Sequence, residues 1–582
     1  MHGFHNRILR VDLTERTFKV EAIPDDILAA YLGGKGLATH LLLENTPPGV
    51  APLSPANVLI VATGPASGTV LAPASRYGLF SKSPLTGLYG ESYAGGHVAP
   101  QIKATGYDAI LLEGAADAPL YLEINDERIK FHDAAHFWGK DIYETEDRVK
   151  EEVGVPRAQA IVIGPAGENL VPFAVVGNNR WRQAGRCGMG AVMGSKKVKA
   201  IVFHGKVQCP LHDPQAVKAF NDELREKGKD DPGAIAYRKL GTPMIVAIAN
   251  KFGSFPSRYW SEGAISHWER LSADYLVEKF GVKNRACHRC FFACGKLSTV
   301  PEGRHAGLRI EGPEYETIYS FGGLCLIDDL AEIIYLNDLC DRLGLDTITA
   351  GNVVAFAMEA SRRGALDLEL DYGDADGAAD LLQKIAYREG LGDLFARGVR
   401  AASRELGLEE IAIHVKGLEP AGYDPRALKG MGLAFAVSDR GACHLRATVY
   451  KAEFSGMSDP SSIEGKAELL TDFEDRHTIF DTLIFCRFYR DMIGWDELSS
   501  VMAALTGLEM DKLELSTLAR NVTTKAREFN LREGMMPADD VLPQRFYAEP
   551  LGREGKIIHK AELEQMVAEY YALKGWEGGV PK

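Results

Sequence analysis

The sequence predicts an α+β fold, a β-rich N-terminal domain followed by two mainly α-helical domains. Three observations carry that expectation. Short β-branched runs punctuated by glycine fill the first two hundred residues. Stretches with helical spacing begin near residue 210. The 582 residues, 46% apolar and 25% charged, are enough to bury several cores. The expected division is residues 1–210, residues 211–417 and residues 418–582.

In order along the chain, Asn57 to Val61 runs into Gly64-Pro65, and Ala109 to Leu112 runs into Gly114. Leu120 to Ile124 and Arg128 to Phe131 flank Asn125-Asp126-Glu127, a hairpin with a polar turn. Ala160 to Ile163 and Val198 to Phe203 add further strands. Helical patterning begins with Asp213 to Lys227. In Asp328 to Arg342, Leu330, Ile333, Ile334 and Asn337 mark one helix face, Gly344 stops it, and Asp346-Thr347 caps the next helix, through Met358. From Asp459 the chain again reads as helical.

Composition excludes some functions. Lys plus Arg number 66 against 80 Asp plus Glu, a net charge of -14 with no basic run, which argues against a nucleic-acid partner. No stretch approaches the roughly 18 apolar residues of a membrane helix, and Met1 to Arg7 lacks a secretory signal core. A cytoplasmic location is expected. The odd count of 9 cysteines fits a reducing compartment and not a disulfide scaffold.

Cys287, Cys290 and Cys294 form a C-x2-C-x3-C run. Thiolates at such spacing hold iron–sulfur clusters, with a fourth ligand from elsewhere. Zinc is the rival, because C-x2-C is also its spacing; three unrelated reduced cysteines are the bland alternative. Arg182 to Gly194 is glycine-rich, with Arg182 and Arg186 able to pair with phosphate. Its G-x-G-x3-G spacing fails as a dinucleotide fingerprint, and a glycine turn packing a helix on a sheet is the alternative. Glu311, Glu314 and Glu316 form an acidic cluster, which is a candidate base or a solvated face. His444 is one of 15 histidines, most of them structural by type.

Together and in this order, these segments resemble the tungsten-containing aldehyde ferredoxin oxidoreductase family along nearly the whole chain. The likeness runs through Leu32 to Ala38, Lys82 to Gly87, Gly106 to Ile110, Ile163 to Asn169, Gly190 to Lys196, Gly312 to Glu316 and Tyr423 to Arg426. It implies a tungsten bis-pyranopterin, a nearby [4Fe-4S] cluster, and Mg2+ bridging the pterin phosphates. Cys287, Cys290, Cys294 and Cys486 are then the cluster ligands. Arg76 and Arg182 match the phosphate-binding arginines, and the backbone carbonyls of Tyr93 and Gln183 the magnesium ligands. The pterin motif D-x-x-G-x-D is intact as Asp341 to Asp346, with Leu345 inside it. Its companion D-x-x-G-L-C keeps Asp481 and Cys486 but has Ile484 and Phe485, and a β-branched residue at 484 is expected to restrict the backbone. Arg446 stands where the family has lysine.

The resemblance makes Glu316 the base and His444 the hydrogen-bond partner of a carbonyl oxygen. It implies oxidation of aldehydes to carboxylic acids with water, or the reverse, with electrons passing to ferredoxin or a polyferredoxin-like subunit, in some assemblies joined by an NAD-linked flavin subunit. A benzoyl-CoA reductase subunit and a non-catalytic iron–sulfur subunit are the alternatives. Homodimeric relatives carry an E-x-x-H metal site in the segment holding Tyr335 and Asp338, so loss of that bridging metal is expected. The loop Met457 to Ser462 is the candidate for substrate selection.

Overall fold

The computed structural model describes residues 1–582. Two six-stranded sheets occupy the first two hundred residues. In the first, the strand order is Thr17–Ala22, Arg7–Asp12, Ala109–Glu113, Leu59–Ala62, Tyr77–Lys82 and Tyr89–Ala94. Only Arg7–Asp12 and Ala109–Glu113 run parallel. The second orders Arg182–Ala184, Val176–Asn178, Gln159–Val162, Val198–Phe203, Leu120–Ile124 and Ile129–Asp133, again with one parallel pair, between Val198–Phe203 and Leu120–Ile124. The expected hairpin is present: Ile124 pairs with Ile129, and Asn125 Oδ1 accepts from the Glu127 and Arg128 amides. Alternate residues of these strands fill the space between the sheets, including Leu9, Val11, Leu59, Val61, Ile110 and Leu112 against Leu122, Ile161 and Ile201.

Helices dominate thereafter, and their ends follow local chemistry. Asp213, Asp329 and Asp346 each accept from amides in the first turn of Pro214–Asp230, Leu330–Leu343 and Thr347–Arg362. Gly344, at φ 82°, ends the second of these in the left-handed conformation. A three-stranded antiparallel sheet of Lys283–Arg285, Gly295–Thr299 and Arg309–Glu311 interrupts the helical region. Strands this short carry too little alternation to be read from sequence. The hydrophobic cores join distant segments: Ile60, Phe80 and Leu111 of the first sheet pack with Ile479, Phe480, Val501 and Val522 of the last third of the chain. No helix is long and apolar enough to cross a membrane.

Candidate active site

Glycines set how closely the N-terminal sheets approach the helical part. A Cβ on Gly34 would lie 2.2 Å from the Asp481 carbonyl oxygen, one on Gly64 2.7 Å from that of Leu483, and one on Gly164 2.6 Å from that of Leu343. The two D-x-x-x-x-D/C segments are thus pressed backbone to backbone on the sheets, at the ends of Leu330–Leu343 and Lys466–Leu483. Three of the Arg182 to Gly194 glycines allow close packing, while Gly185 lines the cavity described below. Cβ atoms on Gly188, Gly190 and Gly194 would fall 1.9, 2.3 and 2.0 Å from the carbonyl oxygens of Pro172, Val175 and Gly167. The missing side chains let Met189–Ser195 lie directly against neighbouring backbone.

Ile484 keeps the turn that glycine was expected to need. Its φ of 68° and ψ of 35° match the left-handed cap at Gly344, and its amide closes the helix on the Phe480 carbonyl. The expected backbone restriction is not realised, because the buried side chain packs against Gly34 and that burial offsets the strain.

A cavity of 390 Å³ opens between the sheets and these loops. Arg76, Tyr93, Arg182, Gln183, Asp341, Leu345 and Asp346 line it, as do Cys294, Glu316 and His444. Arg446, Asp481 and Phe485 stand a layer behind: Arg446 reaches Asp481 (2.9 Å) and Glu91, while Arg76 lies 3.5 Å from Asp481 and donates to the Phe485 carbonyl at 3.3 Å. The Tyr93 ring sits between two guanidiniums, 4.9 Å from Arg76 and 5.5 Å from Arg446. Gln183 Nε2 and Asn337 Nδ2 donate to Asp341 at 3.1 and 2.8 Å, and burial raises that carboxyl well above its usual range. Asp346 takes Arg186 at 3.1 Å besides capping its helix. Met457 to Ser462 do not line this cavity; they edge a separate surface depression, because the helix Tyr450–Phe454 carries the chain outward. Tyr237, Thr242, Ile245, Leu445, Tyr450 and Phe488 line the cavity instead.

Glu316 lies in the short helical turn Tyr315–Thr317, whose first residue donates through its hydroxyl to the Gly422 carbonyl. In return the Gly422 amide donates to Glu316 Oε2 at 3.0 Å, and His444 Nε2 lies 3.4 Å from Glu316 Oε1. Burial pushes the Glu316 carboxyl up to about 8, against the Gly422 hydrogen bond. Burial, with Arg186, Arg440, Arg446 and Arg487 close by, holds the His444 ring well below its usual range, so it is neutral. Near neutrality the histidine is therefore the uncharged member of the pair, and Glu316 is the group whose charge changes.

The three cysteines occupy the loop of a hairpin in which Arg285 pairs with Gly295. Cys486 follows Ile484, and its amide is fixed by the Pro73 carbonyl at 2.9 Å. The hairpin loop and the Cys486 segment come together here: Cys290 Sγ lies 3.3 Å from the hydroxyl of Tyr489, three residues beyond Cys486. Burial raises Cys290 and Cys294 and brings Cys486 to about 11. No group of three His, Cys, Asp or Glu side chains is placed to hold one metal ion. Of the other cysteines, Cys187, Cys325, Cys340 and Cys443 are buried, but Cys209 is only half-buried.

Sequence reasoning missed the charge network behind the cavity. Lys35 joins Glu91 (3.1 Å) and Asp439 (2.8 Å), Arg440 donates to the Glu91 carbonyl (2.6 Å) and to Cys443 Sγ (2.8 Å), and Arg487 pairs with Asp481. Burial opposes ionisation of Glu91, but Arg446 and Lys35 outweigh it and hold the carboxyl below its usual range. The only sequence signal was a charge at 35 and at 91 inside otherwise apolar or glycine-rich runs.

The family model "Aldehyde ferredoxin oxidoreductase, N-terminal domain" matches residues 8–205, and that for domains 2 and 3 matches residues 219–582. The chain is 38% identical to a tungsten-containing aldehyde ferredoxin oxidoreductase of Pyrococcus furiosus over 598 residues, covering 100% of this chain and 98% of that one. It is 30% identical to the aliphatic sulfonate oxidoreductase, WOR-like subunit, of the same organism, covering 100% and 96%. The solved active-site complex BamBC of benzoyl coenzyme A reductase with 1,5-dienoyl-CoA is similar at a TM-score of 0.85 and 25% identity, covering 100% of this chain and 96% of that one. The chain belongs to the aldehyde ferredoxin oxidoreductase family, and it is an oxidoreductase.

Proposed function

We propose that the chain oxidises aldehydes to carboxylic acids with water as oxygen source, at a tungsten bis-pyranopterin, and runs in reverse given a donor of low enough potential. The observation that carries this reading is the Glu316–His444 pair in a cavity wall shared with Cys294 and the arginine–aspartate network.

The residues present fit the cofactor. Gln183 Oε1, Arg186 Nη1, Arg446 Nη2, Asp481 Oδ1 and Arg487 Nη1 are buried without a hydrogen-bond partner. So many unmatched donors and acceptors in one region call for a polar, anionic group. Arg76 and Arg182 would hold its phosphates; Asp341, Leu345, Asp346, Arg446, Asp481 and Phe485 would meet the pterins; and the Tyr93 and Gln183 carbonyls would serve Mg2+. Cys287, Cys290, Cys294 and Cys486 would hold a [4Fe-4S] cluster. When bound, tungsten supplies a Lewis acid and a two-electron acceptor.

The protein's own share is proton handling and orientation. Deprotonated Glu316 takes a proton from water as the new carbon–oxygen bond forms. Neutral His444 donates to the carbonyl oxygen where negative charge develops. Electrons leave singly by way of the cysteine loop to ferredoxin or a polyferredoxin-like subunit, with an NAD-linked flavin subunit as a further member of the assembly. Glu316→Gln is expected to keep tungsten and iron content and to lower kcat by about 10²–10⁴-fold; near-normal turnover would reject the role. The likeness to the benzoyl-CoA reductase complex supports a second reading, reduction of an aromatic acyl-CoA. Steady-state kinetics with benzaldehyde against benzoyl-CoA separate the two.

A further inference from the structure

The cysteine loop is collared by cations that few carboxylates balance. Arg225 donates to the Arg289 carbonyl at 2.5 Å, Arg238 to the Phe291 carbonyl at 3.2 Å, and Arg289 Nε lies 3.2 Å from His288 Nε2. Their polar contacts are thus to backbone oxygens and one another's neighbours, not to acids. Arg182 and Arg285 share the single carboxylate of Glu311. Elsewhere on the helix Pro214–Asp230 the exposed cations are matched, Lys218 with Asp222, Lys227 with Glu223 and Lys229 with Glu226. The surplus is therefore local to the loop.

The cover over Cys287 is also thin at this edge. A Cβ on Gly95 would fall 2.9 Å from Cys287 Sγ, so that position excludes any side chain between the sulfur and the strand end. The His288 amide donates to the Gly96 carbonyl at 2.9 Å, and the His97 and His288 rings meet edge-on at 6.1 Å. His97 and Arg289 are exposed.

We propose that Arg225, Arg289 and the His97–His288 pair form the docking surface for an acidic iron–sulfur electron carrier, with Cys287 as the point of electron exit. This rests on the reading of the four cysteines as cluster ligands in an aldehyde oxidase. A chain of net charge -14 repels an acidic partner at long range. At an ionic strength of about 0.15 M the Debye length is about 8 Å, so the distant charges are screened while the collar still acts in contact. An encounter surface of this kind is small and transient. Each turnover, RCHO + H2O → RCOOH + 2H⁺ + 2e⁻, reduces two one-electron carrier centres, one electron at a time.

The test uses the holoenzyme with a small acidic two-cluster ferredoxin as carrier and benzyl viologen as a small cationic acceptor. At about 0.1 M salt, Arg289→Glu is expected to lower kcat/KM for the ferredoxin roughly tenfold or more, while the viologen rate stays within about twofold and iron content is unchanged. Near 1 M salt, where the Debye length is about 3 Å, wild type and variant converge. Arg289→Lys retains most of the ferredoxin rate. An unchanged ferredoxin rate, or equal losses with both acceptors at unchanged iron content, overturns the proposal. Ferredoxin binding followed by surface plasmon resonance is read apart from turnover: tighter binding to wild type without aldehyde oxidation by either acceptor keeps the docking surface and removes the aldehyde reading.

Discussion

Arg446 meets two fully buried carboxylates, Glu91 and Asp481, and lies over the Tyr93 ring. Removing one member of a buried ion network leaves its partners charged and unpaired, which costs about 3–5 kcal/mol. Arg446→Ala is expected to show that loss in urea denaturation. Arg446→Lys, the residue of the family, keeps the charge but not the planar fork, and falls between wild type and alanine. For Glu316 the sign follows from its pKa, raised to about 8 by burial. A base works deprotonated, so kcat/KM should rise with pH up to about 8 and level above it, and Glu316→Gln should lose that limb. The C-x2-C-x3-C run and the Glu316 segment were legible in the sequence because their spacing is local. Lys35, Glu91, Arg440 and Arg487 were not, because each is an ordinary charged residue until partners up to 404 positions away arrive.

At the scale of elements, the same device appears twice: a helix ends in a left-handed cap and a glycine of the N-terminal region, just beyond a strand or at a helix start, lies against it. Gly164→Ala places a methyl group against the Leu343 carbonyl, and overpacking of this kind costs about 1–3 kcal/mol. A lower Tm together with reduced tungsten content is the expected outcome, since the displaced loop carries Asp341 to Asp346. Ile484→Gly removes left-handed strain of about 1–2 kcal/mol but also buried side-chain packing worth about 2–5 kcal/mol. The net expectation is a destabilisation, read by thermal melting. Helix caps and the hairpin at 120–133 could be foreseen from turn chemistry; the three short strands around the cysteine loop could not, since their pairing is what defines them.

For the whole molecule, Glu332 accepts from Arg304 at 2.8 and 2.6 Å and from His305 at 3.0 Å, and Tyr335 stacks on His305 at 4.3 Å. Asp338 is likewise engaged, by Arg342 at 2.7 Å and the Tyr143 hydroxyl at 3.1 Å. These side chains are satisfied within the chain. Light scattering is expected to show no metal-dependent homodimer; a stable dimer lost on chelation would contradict this. The sequence by itself determined the α+β class, the family, the cysteine loop and the acid–histidine candidates, because periodicity and short spacings are written along the chain. Only the tertiary structure decided that Ile484 can replace glycine, that Gly188, Gly190 and Gly194 serve packing, that Met457 to Ser462 lie away from the cavity, and that burial raises Glu316 beside a neutral His444. Each of those depends on burial and on charges brought together from opposite ends of the chain, which no local pattern records.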